Sequence, residues 1–213
     1  MARDPFQLRT TPPDLAIYEE FRKWFTLISL AASILTFFIN APFGRFNTGS
    51  TRNLVPWFNS PRWMVDGRRS WMVMEIVSPI MFLVGLVKSP LSFYKVPLPS
   101  PFSPQGVIVI LFLVHYLNRA IINPLRTPSR SKAHLFVPSM GVAFNIANGY
   151  LMGSYLSSPY ARIHLGGAYA FDRPSFRIGV LLWFIGFIGN VAHDEILLDI
   201  RRKAQAKKDK DDG

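Results

Sequence analysis

Hydrophobic positions gather into five long runs, about 22–41, 70–87, 106–125, 134–156 and 177–199. Each approaches the roughly 20 residues that a helix needs to cross bilayer hydrocarbon. The pattern predicts an all-α fold, a polytopic membrane helix bundle with about five transmembrane helices. The first run starts late, behind Asp14, Glu19 and Glu20. A cleaved signal peptide has a basic, not acidic, approach, so a retained span is expected. Proline punctuates the rest. Pro90, Pro97, Pro99, Pro101 and Pro104 predict an extended second connection, Pro79 a kink inside the second span, and Pro174 a helix start.

Composition supports lipid as the solvent. Of the 213 residues, 49% are hydrophobic and 17% charged, with 18 Phe and 5 Trp, against about a quarter charged in soluble domains. There is no cysteine, so neither a disulfide nor a thiolate metal site can form. The net charge of +11 suggests nucleic acid at first sight, but its distribution points to a bilayer. Six basic residues follow Ile200, five lie in 42–69 and three in 126–133. With five spans these segments share one face, and the opposite face is poorer in Lys and Arg. The positive-inside rule then places the C-terminal tail in the cytosol. The expected organisation is a non-cytosolic N-terminal segment at 1–21, a transmembrane domain at 22–200 and a basic cytosolic tail at 201–213.

Ionisable and amide side chains interrupt these runs, and at membrane depth they are functional candidates by default. Glu75 lies one helical turn beyond Trp71. Tyr116, Arg119 and Asn123 fall within about 60° on one helical stripe, and Asn190, Asp194 and Arg201 within about 40° on another. Asn145 and Asn148 precede Gly149 and Gly153 in the fourth run. Each has a plainer reading. Glu75 can pair with a third-span arginine to hold the bundle together. The two asparagines can bond between helices, with Gly149-x-x-x-Gly153 as a packing seam. Arg201 can be a helix-end arginine reaching the interface, and Glu195 is expected at the surface. His115 and His193 lack a second ligand at metal spacing, so no metal site is expected. Neither a Rossmann glycine fingerprint nor a Walker loop occurs. Taken jointly, the polar residues predict a cavity lined from four helices.

Several motifs in order carry a resemblance. HYLNRAIINPL with Arg130 beyond it, AFNIANGYLMGSYL, GNVAHDEILLDIRRK, APFGRF and SWMVMEIVSP together resemble the steroid 5α-reductase (3-oxo-5α-steroid 4-dehydrogenase) family, over about residues 25–203. The resemblance implies a multi-pass enzyme of the endoplasmic reticulum membrane with seven helices, reducing the C4–C5 double bond of 3-oxo-Δ4 steroids with NADPH. By position, Glu75 and Tyr116 are implied as the catalytic pair that hydrogen-bonds the steroid 3-keto oxygen, with Glu75 a neutral donor. Trp71, Arg119, Arg130, Asn190, Asp194 and Arg201 are implied as NADPH-binding. Phe43 replaces the Tyr usual in the first loop. Donors at the 3-oxygen suit the chemistry, because hydride arriving at C5 drives negative charge onto that oxygen. The arginines suit the phosphates of NADPH.

The family continues into an I-P-x-G-G-type turn and two more helices. The expectation is an incomplete reductase domain that binds NADPH poorly by itself. The alternatives are a reductase of polyprenols or trans-2-enoyl-CoA in the same superfamily, or a non-catalytic membrane fragment. Expected partners are a steroid or related lipid, NADPH and the bilayer, with no nucleic acid and no obligate protein.

Overall fold

The computed structural model describes residue 12 and residues 14–38, 61–94, 96–127 and 130–211. The APFGRF stretch with Phe43 lies outside the described residues. Six helices are described. They are α1 (Leu15–Phe38), α2 (Gly67–Lys88), α3 (Pro104–Arg126), α4 (Phe136–Leu156), α5 (Pro159–Leu165) and α6 (Pro174–Asp211). Two short strands, β1 (Met64–Val65) and β2 (Ala133–His134), pair antiparallel with Met64 opposite His134. The protein is an all-α polytopic membrane bundle.

Among the described residues four helices, α1, α2, α3 and α6, are long and apolar enough to cross a membrane. The fourth run does fold as a helix, α4, but Asn145, Asn148 and Ser154 dilute its hydropathy, and it buries those groups against α2.

Two helices overrun their apolar runs, for an electrostatic reason. At the start of α1 the charged residues pair along one face, Arg22 with Glu19 at 2.5 Å and Lys23 with Glu20 at 3.6 Å. In α6 Lys203 meets Asp199 at 2.7 Å. Such pairs at i,i+3 and i,i+4 prolong a helix where apolar periodicity has stopped. Arg201 therefore sits inside a helix and not at its end. Pro174 opens α6 as its position predicts.

The centre of the bundle is the α2–α4 contact. A Cβ on Gly149 would stand 2.1 Å from the Ser78 carbonyl oxygen, and one on Gly153 2.0 Å from that of Phe82. The glycine seam is thus a backbone-to-backbone approach that no larger residue fits. Asn145 Nδ2 donates to the Met74 carbonyl at 2.8 Å, bonding between helices as its plainer reading has it. Helix α2 runs through Pro79 without ending. Phe82 and Leu86 pack on Leu156, and Phe112 of α3 stacks on Phe82 at 4.1 Å.

The strand pair fixes the other end. It ties the entry of α2 to the entry of α4, and a Cβ on Gly67 would lie 2.0 Å from the Ser131 carbonyl oxygen. Residues 130–131 therefore press against the first turn of α2. Asp66 caps that turn, accepting from the backbone N–H groups of Arg68 at 3.1 Å and Arg69 at 2.7 Å. These two bonds hold the Asp66 carboxyl below the usual carboxylate range, the Arg69 bond contributing most.

Candidate active site

Helix α3 contributes most of the site, and it is not a uniform α-helix. Its segment Leu117–Ile122 is a π-turn, closed by Asn123 N–H donating to the Asn118 carbonyl. A π-turn holds one residue more than an α-turn, so everything beyond it lags in rotation. The single stripe of Tyr116, Arg119 and Asn123 expected from uniform periodicity is therefore broken. Tyr116 faces α4, Arg119 faces α2, and Asn123 faces α6.

Tyr116 is 8% exposed. Its hydroxyl accepts from Asn148 Nδ2 at 3.0 Å, and the same amide reaches Ser78 Oγ at 3.2 Å. One turn earlier on α2, Glu75 is 3% exposed. Arg119 Nε donates to Glu75 Oε1 at 2.9 Å. The contact joins α3 to α2, as the plainer reading of Glu75 beside a third-span arginine has it.

The guanidinium of Arg119 lies 5.0 Å from the Trp71 ring centre, and that of Arg130 lies 4.2 Å from it. Both distances suit cation–π attraction. Arg130 reaches this position because the 130–131 backbone is pinned to α2 at Gly67. Its Nε is buried without a hydrogen-bond partner. Burial first, and the charge of Arg201 second, pull this guanidinium below its ordinary value, while Asp194 opposes them. Arg201, Asp194, Arg119 and Glu75 all lie within electrostatic reach of Arg130.

Helix α6 joins through two polar contacts with α3. Asn123 Nδ2 donates to Asp194 Oδ2, and Arg126 pairs with Glu195. Glu195 was expected at the surface, yet it is half-buried against α3, because the π-turn rotates Arg126 toward α6. Asn190 is exposed and donates to the Gly186 carbonyl of its own helix at 3.0 Å. Of the eight sequence-predicted site residues, Glu75, Tyr116, Trp71, Arg119 and Arg130 come together directly. Asp194 and Arg201 adjoin them, and Asn190 does not. Asn148, one of the polar residues expected to line a cavity, joins the site, and so does Ser78, which the sequence did not single out.

Beside the polar cluster lies an apolar chamber of about 540 Å³, walled by Ile108, Leu111 and Phe112 of α3, Met152 of α4, and Val180 and Trp183 of α6. Phe112 connects the two regions, its ring centre 4.9 Å from that of Tyr116. An apolar chamber one ring away from a buried phenol, with an ion pair and clustered arginines near that phenol, combines room for a flat apolar compound with groups suited to an anionic one.

Known proteins resemble the chain in sequence. The family model described as 3-oxo-5-alpha-steroid 4-dehydrogenase matches residues 131–210. An uncharacterized protein of Schizosaccharomyces pombe is 32% identical over 204 residues, covering 91% of this chain and 67% of its own length. The chain belongs to the 3-oxo-5-alpha-steroid 4-dehydrogenase family. Human 3-oxo-5-alpha-steroid 4-dehydrogenase 1 is 30% identical over 146 residues, 67% of this chain and 51% of that protein. The steroid 5-alpha-reductase DET2 of Gossypium hirsutum is 27% identical over 188 residues, 83% of this chain and 62% of its own. The chain thus spans between about half and two thirds of the length of these family members. The family-model match contains Asn190, Asp194 and Arg201 but stops short of Glu75 and Tyr116.

Proposed function

We propose that this chain belongs to an NADPH-dependent reductase of the C4–C5 double bond in 3-oxo-Δ4 steroids, a multi-pass enzyme of the endoplasmic reticulum membrane. The observation that carries the reading is that Phe112, a wall of the apolar chamber, packs on the buried Tyr116, their ring centres 4.9 Å apart. The names of the human and cotton family members agree with it.

The residues present fit the cofactor. Arg130 offers a buried, unpartnered Nε, and Arg119 and Arg201 add charge beside it, a donor set suited to phosphate. Arg119, Arg130 and Arg201 would hold the phosphates, Trp71 would support the two guanidinium planes, and Asp194 would balance the local charge. When bound, NADPH supplies the hydride for C5.

The chain's own residues do the rest. Asn148 donates to the Tyr116 oxygen, which leaves the phenol its own proton to give to the steroid 3-oxygen. As the double-bond electrons move onto that oxygen, the donated bond strengthens and stabilises the enolate. Glu75 keeps its carboxylate on Arg119, so its charge does not oppose the one developing nearby. It acts as a positioning residue that holds Arg119 over Trp71. C4 then takes a proton from solvent.

The test is reduction of a 3-oxo-Δ4 steroid by microsomes carrying the chain, with NADPH, alongside a trans-2-enoyl-CoA and a polyprenol. Steroid turnover that is lost in Tyr116→Phe is the expected result. Turnover of the enoyl-CoA or the polyprenol with none of the steroid would overturn the reading.

A further inference from the structure

Three side chains from three helices close a triangle around one phenol. Asn148 Nδ2 of α4 donates to the Tyr116 oxygen of α3 at 3.0 Å and to Ser78 Oγ of α2 at 3.2 Å. An amide nitrogen carries two N–H groups, one for each. Ser78 and the Tyr116 hydroxyl hydrogen-bond as well. Ser78 is 0% exposed, and Tyr116 is 8% exposed.

A hydroxyl inside a helix ordinarily turns back on its own backbone. Ser33 bonds the Ser29 carbonyl at 2.8 Å, Ser139 that of Leu135 at 2.9 Å and Thr26 that of Arg22 at 2.9 Å. For Ser78 the matching acceptor is the Met74 carbonyl, which already receives Asn145 at 2.8 Å besides its helical N–H. Both lone pairs of that oxygen are therefore in use. A hydroxyl proton so enclosed needs an acceptor, and the triangle offers the Tyr116 oxygen. Only one of the two hydroxyls can donate to the other. Tyr116 keeps an exposed edge through which its own proton can leave, whereas Ser78 has none.

We infer that Ser78 is a positioning residue for the reduction, the second donor onto the Tyr116 oxygen. With Asn148 it holds the phenolate that forms when Tyr116 gives up its proton. The inference rests on the reading of the site as a 3-oxo-Δ4 steroid reductase and deepens it. The O–H bond of Tyr116 breaks and one forms on the steroid 3-oxygen as hydride reaches C5. The resulting enol returns that proton to the phenolate as C4 takes another from solvent. Arg119 answers the Glu75 charge at 2.9 Å, so no unpaired carboxylate opposes the phenolate.

The test joins a spectroscopic readout to kinetics on the 213-residue chain. The intensity ratio of the tyrosine Raman doublet is high for a phenol that accepts hydrogen bonds and low for one that donates. Difference spectra against Tyr116→Phe isolate this residue, and Ser78→Ala is expected to lower its ratio. With steroid and NADPH, Ser78→Ala should reduce kcat about tenfold at unchanged steroid KM. Ser78→Cys, a weaker donor of similar size, should fall between the two. A ratio that rises in Ser78→Ala means that Tyr116 donates to Ser78. An unchanged ratio means that Ser78 donates elsewhere, as to the Glu75 carbonyl that Pro79 leaves without its helical donor. Either result overturns the inference and leaves the steroid reading standing, as does a lowered ratio with unchanged kcat. A lowered ratio in a chain that reduces no steroid overturns the reading, and the inference with it.

Discussion

Arg119 Nε lies 2.9 Å from Glu75 Oε1, joining α3 to α2 at a carboxylate that is almost wholly enclosed. Removing either partner strands the other. Because 43% of the Arg119 side chain remains exposed, the coupling should fall well short of the 3–5 kcal/mol of a fully buried pair, at about 1 kcal/mol. A double-mutant cycle of Glu75→Gln and Arg119→Gln, read as thermal stability in detergent, measures it. A coupling of zero would make the contact incidental.

Tyr116 is expected to carry the ketone. Tyr116→Phe should lower kcat roughly 10²- to 10³-fold, the usual loss on removing one oxyanion donor. Asn148→Ala, which leaves the hydroxyl in place but unoriented, should cost about tenfold in kcat with little change in steroid KM. Equal rates in wild type and Asn148→Ala would show that the 3.0 Å bond does not orient the phenol.

Arg130 holds an unpartnered Nε beside Arg201 and Arg119. Arg130→Gln should raise the KM for NADPH about tenfold, by the loss of one charge-assisted phosphate contact. The KM for NADH should change less if the contact is to the 2′-phosphate. Comparing the two nicotinamide donors in one preparation separates that role from general damage.

The glycines divide by what surrounds them. Gly149→Ala places a methyl 2.1 Å from the Ser78 carbonyl oxygen and should destabilise the bundle by about 1–3 kcal/mol as α2 and α4 part. Gly186 has nothing within 4 Å of a built Cβ, so Gly186→Ala should be neutral or slightly stabilising through helix propensity. Thermal denaturation in one detergent ranks the two.

The cap of α2 carries a pH dependence of known sign. Two backbone N–H donors hold the Asp66 carboxyl below its unfolded value. Its contribution is therefore present above the unfolded pKa and is lost as pH falls through the lower, folded one. The protection of the Arg68 and Arg69 amides, taken relative to intrinsic exchange at each pH, should fall on acidification across that window. In Asp66→Asn, which keeps an accepting oxygen but cannot ionise, that fall should disappear.

Much of this molecule could be read along the chain. Apolar length foretold α1, α2, α3 and α6, because a span must satisfy its own backbone in lipid and so announces itself by composition. Trp71 with Glu75, and Asn145 with Gly149 and Gly153, were also legible, since residues one turn apart on an uninterrupted helix share a face whatever surrounds it. Helix ends were less so. Ion pairs such as Lys203 with Asp199 carry α6 onward after its apolar signal stops.

The π-turn at Leu117–Ile122 could not be anticipated. It is a choice between hydrogen-bond registers of similar energy, decided by what α2, α4 and α6 present to α3. Once it forms, Asn123 and Arg126 turn to Asp194 and Glu195, while Tyr116 meets Asn148. Residue types and local spacing thus settled which groups enter the membrane. Which of them touch depended on helix rotation and depth, and those follow from packing between segments far apart in the chain.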